Sequence, residues 1–121
     1  MTNEPQFDPY DPNCPSRQLV DRIGDRWTVL IIGALADGPA RYGELSQSVA
    51  GISPRMLSQT LKALERDGLV QRQAFAEIPP RVVYSLTGAG ESLRPVALAV
   101  ASWARQHASD VLAARERFDA T

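Results

Sequence analysis

The chain has 121 residues and nearly balanced charge, with 13 Lys and Arg against 14 Asp and Glu for a formal net charge of −1. That length suits one domain with one core, and 44% hydrophobic with 22% charged residues excludes wholesale disorder. The longest apolar run, residues 29–36, falls short of the ~18 residues that cross a bilayer. The N-terminus lacks the basic flank and apolar stretch of a signal peptide, and a single cysteine cannot form an internal disulfide. A soluble cytoplasmic protein is the expectation, with no membrane partner.

The first fifteen residues hold Pro5, Pro9, Pro12 and Pro15, which lack the amide donor that a helix or central strand needs. Residues 1–13 are therefore expected as an extended arm, and 14–121 as a single domain. Helical signals begin at Ser16, where Leu19, Val20 and Ile23 share a face before Gly24. Asp25 is placed to cap a second helix, in which Trp27, Leu30, Ile31, Ala34 and Leu35 follow the amphipathic template. Val29 and Ile32 are apolar too, so this helix is expected to be buried on most sides. Asp37-Gly38-Pro39 ends it. A short third helix over 42–49 turns Leu45 and Val49 inward. After the turn Ala50-Gly51-Ile52, Ser53-Pro54 reads as an N-cap with proline at the first helical position. The fourth helix runs to Asp67, stops at Gly68 and buries Leu57, Leu61 and Leu64.

Residues 69–77 and 81–86 carry strand patterning around a rigid Ile78-Pro79-Pro80 connector and predict a hairpin. Thr87 caps a final helix over about 88–118, with Pro95 either kinking it or marking a later start. The expected fold is mainly α with a small β-hairpin (α+β). It is a winged helix-turn-helix with N- and C-terminal dimerisation helices, in which the second helix of the pair enters the DNA major groove.

On the fourth helix Arg55, Ser58, Gln59 and Lys62 remain outside the buried face, at spacings that put them together. Arg55 and Gln59 can each make two hydrogen bonds to a base edge, whereas Ser58 and Lys62 suit phosphate. The same four residues also fit the plain solvated face of an amphipathic helix. Charge distribution favours the DNA reading. Residues 1–50 carry four basic and seven acidic side chains, 51–84 carry five and three, and 85–121 carry four and four. Affinity for DNA depends on local phosphate neutralisation rather than whole-chain charge. Arg81, beside Pro79-Pro80, is expected to reach the backbone or minor groove from the hairpin tip, or else to be a solvated turn residue.

Leu93, Ala97, Val100, Ala104, His107, Val111, Ala114 and Phe118 form a seam along the last helix. It suits a second copy of the chain, although packing on its own domain is the alternative. A two-fold dimer sets two reading helices roughly 34 Å apart on a pseudo-palindromic operator in double-stranded DNA. His107, the only histidine, has no ligand cluster around it, so no metal is expected. Nothing in the sequence points to catalysis or a cofactor: there is no nucleophile–His–acid grouping and no Walker loop. Gly88-Ala89-Gly90 lacks the third glycine of a dinucleotide loop, since position 93 is Leu.

A run of motifs carries a family pattern. Cys14-Pro15, Ile23-Gly24-Asp25-Arg26-Trp27, Arg41-Tyr42-Gly43-Glu44-Leu45 and Ile52-Ser53-Pro54-Arg55-Met56-Leu57 come first. Asp67-Gly68-Leu69-Val70, Pro79-Pro80-Arg81-Val82, Tyr84-Ser85-Leu86-Thr87, Gly90, Leu93 and Trp103 follow. Over about residues 14–107 the chain resembles the HxlR-type transcriptional regulators, relatives of the MarR group. Asp25-Arg26 stands where many members have Gly-Lys, outside the reading surface. The resemblance implies a homodimeric bacterial repressor or activator of nearby genes, with DNA contacts at Ser53, Arg55, Gln59 and Arg81. It also implies a response to oxidant, quinone or electrophile through Cys14, which sits where the family's N-terminal cysteine sits.

The chemistry around Cys14 leaves both a sensor and a buried structural cysteine open. A thiol reacts as thiolate. The following helix N-terminus and Arg17 favour that form, and Asp11 opposes it. Two alternatives remain beside the redox-responsive repressor. One is a small-molecule inducer at the dimer interface, near Trp27 and Trp103, although both tryptophans also fit the core. The other is a winged helix used only for protein contacts.

Overall fold

The computed structural model describes residues 6–121. Its elements are α1 (Pro15–Ile23), α2 (Thr28–Leu35), β1 (Ala40–Arg41), α3 (Tyr42–Ser48), α4 (Pro54–Arg66), β2 (Val70–Phe75), β3 (Arg81–Leu86) and α5 (Gly88–Asp119). The strands form one antiparallel sheet in the order β1-β3-β2. This is the expected winged helix-turn-helix, with α3 and α4 as the helix pair and β2–β3 as the wing. β1 was not expected. Two residues are too few to show alternation, and only their pairing with Val83 and Tyr84 defines the strand.

Of the expected arm, residues 1–5 lie outside the described residues. Residues 6–13 join no helix or strand, but their path from Asp8 to Cys14 is turned rather than extended. The Asp11 amide donates to the Asp8 carbonyl and the Cys14 amide to that of Asp11, at 3.0 and 3.1 Å. The reason is the repeated Asp-Pro pair: aspartate opens a turn, and proline presets the next φ. The Asp8 and Asp11 carboxylates also accept from the amides of Tyr10 and Asn13.

Ile31, Ile32, Leu35, Leu45, Val49, Ile52, Leu57, Leu61, Leu64, Val70 and Ala97 form the core. α2 contributes Thr28, Ile31, Ile32 and Leu35 to the buried side. Leu30, expected inside, is 47% exposed. A helix apolar on every side gives no periodicity from which to choose its inward face. Asp25 does not cap α2: Trp27 is the N-cap, without a capping side chain, and Asp25 Oδ2 accepts from the Trp27 amide at 3.2 Å in the turn ahead of the helix. Pro95 neither delays nor ends α5, which runs unbroken for 32 residues from a Thr87 cap. Pro95 lies on the helix's exposed side, where water can serve the carbonyl its missing amide leaves free.

Two contacts fix α4 to its neighbours. Arg22 of α1 donates through Nε to Asp67 at the C-terminal end of α4, at 3.0 Å. Gly68 then takes the left-handed φ of +74° that closes the helix. Immediately afterwards the chain is knotted to the start of α5. Thr87 donates its amide to the Leu69 carbonyl and its hydroxyl to the Gly68 carbonyl, and its Oγ1 accepts from the Gly90 amide. Gly90 packs so closely that a Cβ there would stand 2.0 Å from the Leu69 carbonyl oxygen.

Candidate nucleic-acid interface

α4 is held by its ends and by one face. At its start the Ser53 hydroxyl accepts from the Met56 amide at 3.1 Å, and Pro54 occupies the first turn where its missing donor costs nothing. Leu57, Thr60, Leu61 and Leu64 are buried. Arg55, Ser58, Gln59 and Lys62 are all exposed, as their spacing required. Among the described residues, Arg55, Gln59 and Lys62 make no side-chain hydrogen bond or ion pair, so their donors face water.

Ser58 is different. Its hydroxyl donates to Tyr42 Oη at 3.3 Å, and Tyr42 Oη donates to the Pro54 carbonyl at 2.9 Å. Tyr42, at the start of α3, therefore ties the two helices together across the turn. The sequence signal for it was an aromatic residue with a polar tip at a helix start, and no role was assigned to it.

Arg81 lies at the tip end of the wing ladder, opposite Phe75. Its guanidinium is neither free nor turned wholly to solvent. It lies 4.1 Å from the centroid of the Phe75 ring, and Nη2 donates to Glu77 Oε1 at 3.1 Å. Its Nε is buried without a hydrogen-bond partner. The wing cation that sequence reasoning passed over is Arg72. It is exposed on β2, two residues from buried Val70 and so on the same side of the strand.

Cys14 is half-buried at the N-cap of α1. Hydrogen bonding to Ser16, through its hydroxyl at 3.1 Å and its backbone, holds the thiol below its ordinary pKa. The Asp8 amide, donating to Sγ at 3.3 Å, acts in the same direction, while partial burial and the Asp11 charge oppose it. Asp11 thus acts as expected; the lowering comes from hydrogen bonds and not from Arg17.

Trp27 packs against the core, but Trp103 is 59% exposed on α5, stacked on His107 with ring centroids 4.6 Å apart. The two do not form one pocket wall. The seam on α5 divides: Leu93 and Ala97 pack on the domain's own core, while Val100, Val111 and Phe118 are exposed. Among the described residues no group of His, Cys, Asp and Glu could hold a metal, and no helix is long and apolar enough to cross a membrane.

Residues 22–111 match the HxlR-like helix-turn-helix family. The chain belongs to the HxlR family. It is 42% identical over 107 residues to the HTH-type transcriptional regulator YtfH of Escherichia coli, covering 88% of this chain and 85% of that protein. The structure of the transcriptional regulator ytfH from Salmonella typhimurium superposes with a TM-score of 0.85 at 40% identity, over 92% of this chain and 99% of the other. The redox regulator HypR in its oxidized form superposes with a TM-score of 0.72 at 35% identity, over 77% and 96%. As an HxlR-family member the chain is a transcriptional regulator with a DNA-binding helix-turn-helix, formed by α3 and α4, and its relatives are regulators rather than enzymes.

Proposed function

We propose that this HxlR-family protein is a homodimeric, sequence-specific repressor whose hold on DNA weakens when Cys14 is oxidised or alkylated. The observation that carries the DNA half is the exposed face of α4, where Arg55, Gln59 and Lys62 stand with unused donors behind a capped and buried helix. Arg55 and Gln59 read base edges; Ser53, Ser58, Lys62 and Arg81 position the backbone. The exposed apolar stripe of Val96, Val100, Trp103 and Val111 on α5 supports pairing with a second copy, which sets two α4 helices on a pseudo-palindrome.

The redox half rests on the lowered thiol pKa of a half-buried Cys14 and on the likeness to a redox regulator. With one cysteine per chain, an oxidised Cys14 pairs with its counterpart in the second subunit or with a small thiol. Mobility shifts on the promoter of its own gene test both halves. Arg55→Ala is expected to lose specific binding by about 1–3 kcal/mol. Unchanged affinity removes Arg55 from the readout. Diamide is expected to release wild type and not Cys14→Ser; equal responses remove the sensor. Thiol alkylation followed against pH should show a midpoint below that of a free cysteine, and Ser16→Ala should move it upward.

A further inference from the structure

β2 and β3 alternate, so Val70, Arg72 and Ala74 face one side together with their partners Leu86, Tyr84 and Val82. Val70 is 2% exposed, so this is the side turned to the core. One step toward the wing tip, at the edge of the core, the next pair on that side, exposed Arg72 and half-buried Tyr84, meets α4. Between strand and helix, over Leu61, lies a groove of about 230 Å³ lined by Tyr42, Ser58, Lys62, Glu65, Arg72 and Tyr84.

Lys62 and Arg72 are its cations and Glu65 its acid, leaving one positive charge in excess. Among the described residues neither cation makes an ion pair, and the Tyr84 hydroxyl makes no hydrogen bond. Arg81 takes no part: it pairs with Phe75 on the opposite side of the wing. On α4 the groove adjoins the proposed base-reading face, since Lys62 lies one turn beyond Ser58 and Gln59.

We infer that this groove is a clamp for one DNA backbone phosphate. Lys62 forms one jaw, Arg72 the other, and the Tyr84 hydroxyl donates between them. The single surplus charge matches the single charge of a phosphodiester, and guanidinium geometry suits its two free oxygens. Glu65 weakens the clamp for every sequence alike. The inference rests on α4 being the DNA-reading helix, and it adds a wing residue that fixes the helix's register on the duplex.

The test uses full-length protein, a duplex enriched from a random pool by the wild type, and a scrambled duplex, with anisotropy read over a range of salt. Arg72→Ala is expected to weaken both duplexes by a similar factor, roughly tenfold, and to lower the salt slope by about 1. Tyr84→Phe weakens both less, Arg72→Lys keeps the slope, and Glu65→Gln tightens both. Arg55→Ala, by contrast, erases the preference for the enriched duplex. Wild-type binding with Arg72→Ala unchanged in affinity and slope overturns the clamp and leaves the reading helix standing. A wild type that binds neither duplex overturns both. Arg72 is exposed, so its variants are expected to melt with the wild type, which a thermal scan verifies.

Discussion

Helix α4 and the tip of the wing carry their cations in different conditions. On α4, Arg55 and Lys62 stand exposed with no acidic partner among the described residues. On the wing, Arg81 is laid over Phe75 and paired with Glu77 at 3.1 Å. A free cation meets phosphate at the cost of shedding water. A stacked and paired one must also leave contacts that partly replace that water. Positive charge counted along the sequence therefore overstates what the wing tip offers to DNA, whereas on the helix the count and the available charge agree. The contrast also separates two supports. α4 is held by buried leucines and a cap, and the wing tip by its own polar and aromatic side chains.

The largest way to break the contrast is to remove the helix's support. Leu61→Ala is expected to cost about 2–5 kcal/mol in urea unfolding, because the side chain is buried in the core. Loss of DNA binding should follow the loss of folded protein. Ser53→Ala comes next, at about 1 kcal/mol, since the Met56 amide loses its acceptor. Circular dichroism should show the loss, and Ser53→Asp should restore it. Glu77→Gln is the smallest change in stability, below about 1 kcal/mol because the Glu77 carboxylate is exposed. It sharpens the comparison most. With Arg81 released, affinity for the scrambled duplex is expected to rise at low salt and the salt slope to steepen. A slope equal to wild type shows that Arg81 stays on Phe75 without its carboxylate.

Most of the architecture was legible because its boundaries are chemical. Ser53-Pro54, Thr87 and Gly68 mark helix ends by capping and backbone freedom, and each acts where the sequence put it. What stayed hidden depends on neighbours distant in sequence. β1 exists only through its pairing with β3. Leu30 is exposed because α2 had no polar side to orient it. The outward face of α4 followed from its leucine spacing. The restraint on Arg81 did not, because an arginine four residues from a glutamate carries no sign of which ring it lies on. Strand alternation counted from Val70 places Arg72 on the same side of β2.

The close packing of Gly90 on Leu69 has a mechanical consequence. With no side chain between them, the end of α4 and the start of α5 form a stiff joint, and any Cβ at position 90 would prise it open. From that joint α5 extends 32 residues, roughly 48 Å at the helical rise. Leu93 and Ala97 pack on the same core as Leu57, Leu61 and Leu64, so one apolar cluster holds the base of α5 and the inner face of α4 together.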